Sequence, residues 1–547
     1  MKYFTYKDCG CSFPITGYSA NNRPNILFDL DVEKINLSCS RTWNLISEGN
    51  TKGCFQLESR LGQTLAKKLK PENIEQLAAL VSIMRPGCLE AIREGKSVTH
   101  HYIDKKNYLE SIDYFSTALE PILNKSYGEM IYQEQAMQIA QKIAGFDLKE
   151  ADMLRKAIGK KKPEEMAKLR ITFLDGAKKT NIVNPSEAEE LFNWIEKSQR
   201  YSFNKSHAVS YAFNAYLSAY AKAHFPKIFF TSYLMYAKDK IDPQREIREL
   251  INNALEMDIK ISSPDIRLIN ENFVLKQDII YFGLTNIKGF GSSVFNKLET
   301  LIQEKSLDLN SLSWLEMLLF VLININSTAA KALISAGALD YYRVARNKLL
   351  LEYNSVSNLT SRETEWIIQN LRLSEFTNLQ QLLEFVTTGG VGKKCCIATQ
   401  KRLSTIIDLC KILNNPPYSI IDTPEWISDN EYNLLGTPIT CSKVDGCDIL
   451  NANTTCKEFK TTINKDIVIA GELQDINVIK TKKGKDPGQN MAFISISDST
   501  GGVGDIVCFP KEYSEYEGLL SIGNTLLFAG AKNKDGTSLI IKKIWQL

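Results

Sequence analysis

Five cations crowd one short stretch of the chain: Arg155 and Lys156, then Lys160, Lys161 and Lys162 in the run IGKKKP. A guanidinium offers a planar fork of donors and an ammonium a compact point charge, a pairing that suits the oxygens of a polyphosphate. Ala151, Leu154 and Ile158 recur at intervals of three and four, so these cations belong to an amphipathic helix with a basic end. Cations at a helix C-terminus are also expected from the helix dipole alone, and a solvated cap explains the lysine run equally well on local grounds. Arg155 and Lys156 stand a turn earlier, directly beside the apolar stripe. Upstream, Tyr132, Ala136, Ile139, Ala140 and Ile143 predict another helix, stopped at Gly145, that positions the first.

A second polar group is Asn204, Lys205, Ser206 and His207, at the start of a helix loaded with Tyr211, Tyr216, Tyr220, Phe225, Phe229 and Phe230. Donors at a helix start suit a phosphate or sugar edge, and capping by Asn204 or Ser206 is the local alternative. The aromatic series is expected to be core packing. Gln133, Glu134 and Gln135 fall largely off the apolar stripe, so they either bond a nucleic-acid strand or face water. Further on, Ile287 to Gly291 spells I-K-G-F-G, a helix-hairpin-helix signature in which Gly289 and Gly291 let backbone amides approach a phosphate. Asp29 and Asp31 form a D-x-D pair of the kind that holds Mg²⁺ in two-metal catalysis, but forty residues around them cannot build the sheet and core that chemistry needs, so they are expected to be structural.

With 547 residues, 44% hydrophobic and 24% charged, the chain should hold several globular domains. The formal net charge of +3 excludes a polycation, so nucleic-acid affinity must come from local patches, among them Lys480, Lys482, Lys483 and Lys485. There is no run of eighteen apolar residues and no signal-peptide core, which predicts a cytoplasmic protein without membrane contact. Twelve cysteines are scattered along the sequence. Cys9 and Cys11, with Cys39 at a distance, and the later Cys441, Cys447 and Cys456 lack the paired C-x-x-C spacing of a zinc site; free thiols are expected, and no metal ligands are assigned. His100, His101, His207 and His224 show no ligand spacing either. After a linker at Asn414 to Pro417, five alternating segments with one interrupting helix near 511–520 predict a small OB barrel, in which Phe493, Phe509 and the 480–485 loop could track a single strand. The expected fold is therefore multidomain and mainly α, followed by a small OB-like β-barrel.

The segments YGEMIYQEQAMQIAQKIAGF, KEADMLRKAIGKKKPEEM and YSFNKSHAVSYAFNAYLSAYAKAHFP, preceded in order by FQLESR at Phe55 and MRPG at Met84, closely resemble the fingers of the bacterial replicative DNA polymerase III alpha subunit, the C family of DNA polymerases. The resemblance implies fingers at about 41–258, a helix-hairpin-helix and clamp-associated region at 259–440 and an OB domain at 460–547, after a lead at 1–40 equivalent to the palm–fingers linker. It implies nucleotide binding by Arg155, Lys156 and Lys160, where the family's arginine pair has become Arg-Lys. It also carries a DNA-contact role onto Asn204, Lys205, Ser206 and His207, while DNA binding by Gln133, Gln135, Gly289, Gly291, Lys482 and Lys483 is expected from the local readings. The palm carboxylates with their Mg²⁺ would belong to a partner chain, giving a split DNA-directed DNA polymerase that takes a deoxynucleoside triphosphate and primer-template DNA in a bacterial or phage-infected cell. A sliding clamp is a further implied partner, although QLLEF at Gln381 and QKRL at Gln400 lack the form of a clamp peptide. The rival expectation is a stand-alone DNA-binding or clamp-associated module that kept the fold and lost catalysis.

Overall fold

The computed structural model describes residues 2–19, 24–29, 31–159, 163–198, 202–459, 461–481, 487–533, 536 and 538–547, with the backbone alone at 158, 159, 163 and 505. The chain divides into two units, Met1–Pro226 and Lys227–Leu547.

The first unit opens with an antiparallel meander of β1 (Lys2–Thr5), β2 (Ser12–Tyr18) and β3 (Pro24–Ile26). Residues 1–40, expected as an irregular lead, therefore contain a small sheet, whose short, turn-rich strands give too few alternations to register as strands in sequence. Helices α1 (Ser40–Ser47), α2 (Arg60–Leu69) and α3 (Ile74–Ile83) follow, then the five-residue α4 (Pro86–Glu90), the hairpin β4 (Ile92–Arg93) and β5 (Lys96–Ser97), and α5 (Val98–Lys106). Ser59, Asn73 and Ser97 cap α2, α3 and α5 by accepting a backbone amide of the first turn. Every residue of α3 from Gln76 to Ile83 is buried, consistent with a helix that is apolar around most of its circumference.

After the short α6 (Glu120–Leu123) come α7 (Gln133–Ala144), α8 (Leu148–Gly159), α9 (Pro163–Thr180) and α10 (Pro185–Ser198), and finally the long α11 (Lys205–His224). Helices α7 to α10 share one apolar core in which Ile139, Ile143, Leu154, Phe173, Leu191 and Phe192 are essentially inaccessible. Leu119, Leu123 and Met130, ahead of α7, pack in the same core, and the segments flanking α7–α10 pair with each other. Tyr132 and Phe203 form a parallel bridge, in which Gln133 N–H donates to Phe203 O and Phe203 N–H to Ile131 O, both at 3.0 Å.

The second unit holds a helical region and a barrel. Its large core runs from Phe230 through Leu435 and draws on the helices Pro243–Glu256, Ser292–Glu304, Ser327–Ser335 and Arg346–Val356. A three-stranded sheet of β6 (Lys260–Ser262), β7 (Val274–Lys276) and β8 (Ile279–Tyr281) in the order β6-β8-β7 precedes the glycine pair. Strands β9 (Asp466–Lys480), β10 (Asn490–Asp498), β11 (Gly501–Cys508), β12 (Thr525–Lys532) and β13 (Leu539–Gln546) close a barrel in the order β10-β11-β13-β12-β9, with a helix at Pro510–Tyr516 between the third and fourth strands. This is the OB-like barrel that the alternating segments predict, filled by Ile469, Ile494, Ile506, Phe528 and Ile541.

Candidate nucleotide and nucleic-acid interface

Arg155 and Lys156 remain on the surface of α8, their side chains 34% and 59% exposed. Both engage Asp152 on the preceding turn. The Arg155 Nε and Nη2 donate to Asp152 Oδ1 at 3.0 and 2.8 Å, and Lys156 Nζ lies 2.6 Å from Asp152 Oδ2. Lys156 first and Arg155 second hold the Asp152 carboxyl below the usual carboxylate range. An exposed ion pair of this kind is weak and screened, so a polyanion of higher charge can displace the carboxylate. Lys160, together with Lys161 and Lys162, lies outside the described residues.

The YQEQ and SFNKSH segments meet through the Tyr132–Phe203 bridge, and side chains reinforce the junction. Glu134 accepts the Asn204 amide through Oε1 and the Lys205 backbone N–H through Oε2, each at 2.9 Å. Asn204 caps α11 by accepting His207 N–H at 2.9 Å, so the capping alternative holds for this residue. Gln135 departs from the expectation of a DNA contact. It is only 5% exposed; its Oε1 accepts Ile131 N–H and Tyr132 N–H at 3.0 Å and its Nε2 donates to Ser126 Oγ at 2.6 Å. All its strong partners are internal because the chain turns into α7 there and leaves two backbone amides to satisfy. Gln133 is part-buried, with Nε2 3.5 Å from Ser202 O. Lys205 Nζ stands 5.7 Å from the Tyr132 ring centroid, while Ser206 and His207 are exposed.

His207 lies 3.9 Å centroid to centroid from Tyr211 and 5.3 Å from Phe203. The Arg85 guanidinium stacks 3.8 Å over Phe203, and Phe55 packs edge-on to Tyr211 at 5.2 Å. The FQLESR, MRPG and SFNKSH segments thus contribute to one continuous cationic and aromatic strip, with Arg85, His207 and Phe55 all exposed. Rings with open faces and a guanidinium among them are suited to stack bases and meet phosphates. Arg85 and Phe55 were not singled out in sequence, because nothing local links them to a ring more than a hundred residues away. The other aromatics of α11 behave as core: Tyr216 and Tyr220 are buried.

In the second unit Gly289 adopts φ +94°, a left-handed conformation that favours glycine. Gly291 is the N-cap of the helix Ser292–Glu304, and a Cβ placed on it would meet nothing within 4 Å. The space beside Gly291 is therefore open, although Val294 N–H already donates to Gly291 O at 3.0 Å. Lys482 and Lys483 of the barrel loop lie outside the described residues. Asp29 and Asp31 sit past β3 in turns of their own making: Asp29 Oδ1 accepts Asp31 N–H, Asp31 Oδ1 accepts Glu33 N–H, and Lys34 Nζ stands 2.7 and 3.2 Å from the two carboxylates. No helix among the described residues is long and apolar enough to cross a membrane.

Residues 18–181 match the bacterial DNA polymerase III alpha subunit finger domain, and residues 258–349 match a helix-hairpin-helix motif. The DNA polymerase III subunit alpha of Aquifex aeolicus is 29% identical over 536 residues, covering 94% of this chain and 40% of that protein. The same subunit of Campylobacter jejuni is 36% identical over 343 residues, 62% of this chain and 27% of that protein, and that of Haemophilus influenzae is 38% identical over 275 residues, 49% and 23% respectively. The chain spans about two-fifths of the Aquifex relative's length. Finger domain, helix-hairpin-helix motif and OB-like barrel follow one another along the sequence, and the chain is similar over most of its length to the C-terminal portion of the bacterial DNA polymerase III alpha subunit.

Proposed function

We propose that this chain supplies the fingers, helix-hairpin-helix region and OB-like barrel of a replicative DNA polymerase. In this reading it binds the incoming deoxynucleoside triphosphate and primer-template DNA for template-directed synthesis. The observation that carries it is the surface position of Arg155 and Lys156 within the matched finger domain. There they can leave Asp152 for a triphosphate and stabilise the charge that develops on it as the primer 3′-hydroxyl attacks. The strip of Phe55, Arg85, Phe203, His207 and Tyr211 would hold the nucleic acid, and the amides after Gly289 and Gly291 would grip a duplex backbone without reading its sequence.

The carboxylates that hold Mg²⁺ are assigned to a palm on another polypeptide. Asp29 and Asp31 are already committed to turns and to Lys34, which supports that assignment. Such carboxylates on the palm would hold Mg²⁺, whose charge would supply Lewis-acid stabilisation for phosphoryl transfer. A sliding clamp is a further proposed partner of the helical region. The test is primer extension by the chain alone and with a copurifying palm protein. The chain alone should bind primed DNA in a salt-sensitive way without extending it, and the pair should extend. Extension by the chain alone, abolished by Asp29→Asn, would remove the assignment.

A further inference from the structure

The sequence places Cys9, Cys11, Cys39 and His224 on three separate elements, and the fold brings them together. Cys9 and Cys11 flank the turn between β1 and β2, Cys39 is the N-cap of α1, and His224 ends α11. One ligand atom from each lies within 4.8 Å of every other. The Cys39 Sγ to His224 Nε2 distance is 3.4 Å. A tetrahedral Zn²⁺ with bonds of about 2.3 Å to sulfur and 2.0–2.1 Å to nitrogen holds its ligand atoms roughly 3.5–3.8 Å apart. The four groups are thus spaced for a metal with only a small contraction. We propose that Cys9, Cys11, Cys39 and His224 form a structural Zn²⁺ site that fastens the N-terminal sheet to the end of α11.

The donor set decides the metal. Three soft sulfurs and an imidazole favour Zn²⁺ over Mg²⁺ or Ca²⁺, which require oxygen. Four protein ligands leave no open position, so the role is structural rather than catalytic. The local backbone is made for it. Tyr6 N–H donates to Cys11 O at 2.9 Å and Gly10 N–H to Tyr6 O at 2.8 Å, and Gly10 at φ +71° turns the chain between the two sulfurs, which a side chain would resist. Cys39 stands at the N-terminus of α1, where the dipole favours a thiolate. The cysteine thiols would lose their protons to solvent as the metal takes their sulfurs.

A surrounding shell holds the ligands in place. Asn36 Nδ2 approaches Cys11 Sγ at 3.7 Å, the Tyr6 hydroxyl donates to His224 O at 2.6 Å, and the rings of Tyr6, Phe13 and Tyr220 lie 4.8, 5.2 and 4.4 Å from the imidazole. Arg41 donates to Ala223 O at 2.8 Å and lies over the Tyr6 ring, which places a positive charge beside a site that would carry one net negative charge when filled. The sequence conceals the cluster because its cysteines are spaced C-x-C and its fourth member comes 185 residues after the third.

The full chain, produced with Zn²⁺ present and dialysed against a mild chelator, should retain about one zinc per chain by elemental analysis. After exchange with Co²⁺ it should show the visible absorption of tetrahedral thiolate-bound cobalt. Cys9→Ser, at the partly exposed ligand, should lower retained zinc at least tenfold and weaken the cobalt spectrum, whereas Cys395→Ser should leave both unchanged. Where Cys11→Ser or His224→Ala fails to fold, Cys9→Ser still decides. The site does not exist if the wild type holds under a tenth of an equivalent and gives no cobalt spectrum, if Cys9→Ser keeps full zinc, or if intact mass shows a disulfide among these three cysteines.

Discussion

Glu134 on the first turn of α7 accepts the backbone N–H of Lys205 on the first turn of α11 at 2.9 Å, so one carboxylate satisfies the start of a helix seventy residues further along the chain. With its second oxygen on the Asn204 amide, it fixes where Ser206 and His207 emerge. Replacement by Ala should cost about 1–2 kcal/mol in urea unfolding, since two hydrogen bonds to a helix end are lost. It should also weaken primed-DNA binding in fluorescence anisotropy more than replacement of a surface glutamate such as Glu164 does.

Asp152 occupies both Arg155 and Lys156, and the proposed nucleotide role requires their release. Arg155→Ala, assayed with the palm partner, should raise the apparent KM for deoxynucleoside triphosphate about tenfold or more, while Asp152→Asn should leave it unchanged or lower it. Neither change should move the melting midpoint appreciably, because the pair is exposed. An unchanged KM in Arg155→Ala would refute the nucleotide role.

Glu129 is a buried acid of the first unit with two cationic partners. Its Oε1 accepts Arg93 Nη2 at 2.6 Å and Lys105 Nζ at 2.9 Å, and Glu129 and Lys105 are 1% and 5% exposed. Glu129→Gln leaves buried Lys105 only the more distant carboxylate of Glu110, 3.9 Å away, and should destabilise the unit by about 1.5–3 kcal/mol in denaturant titration.

Burial raises the Glu352 carboxyl above its ordinary value, against the opposing bond from Trp314 Nε1 and the charge of Lys348. A raised value means that the folded state holds its proton more tightly than the unfolded chain. Stability from this group is therefore present below pH 4.5 and declines as pH rises through the folded value. Glu352→Gln, which can still accept from Trp314, should flatten that decline. Urea midpoints measured from pH 4.5 to 7.5 would show it.

Gly291 and Gly289 should respond differently to alanine. At Gly291 the new methyl meets no atom within 4 Å, so stability should hold while duplex affinity and its salt slope fall. At Gly289, with φ +94°, alanine should itself cost about 1 kcal/mol or more. Unaltered duplex binding in a folded Gly291→Ala chain would separate this turn from DNA.

Local periodicity made the long elements legible: the stripe from Tyr132 to Ile143 foretold α7, and alternation at 467–479 and 524–531 foretold β9 and β12. What it could not supply was which side chains turn inward at an element's end. Gln135 lies off the apolar stripe, yet it is buried, because two amides at the entry to α7 needed an acceptor. Arg85 on Phe203, and His224 beside Cys39, depend on how distant segments lie against each other, and no spacing rule encodes that. Asp29 and Asp31 show the opposite case: their D-x-D spacing is plain in the sequence, and the fold ties both carboxylates into turn hydrogen bonds.

The Tyr132–Phe203 bridge closes the helices between those residues into a peninsula, which is rooted as well through Leu119, Leu123 and Met130, packed in the same core. Arg155 and Lys156 lie out on that peninsula, while Ser206 and His207 stand on the shore beside the crossing. Because the root is broad, the reach between the two sets of cations is set by packing as well as by the strand pair.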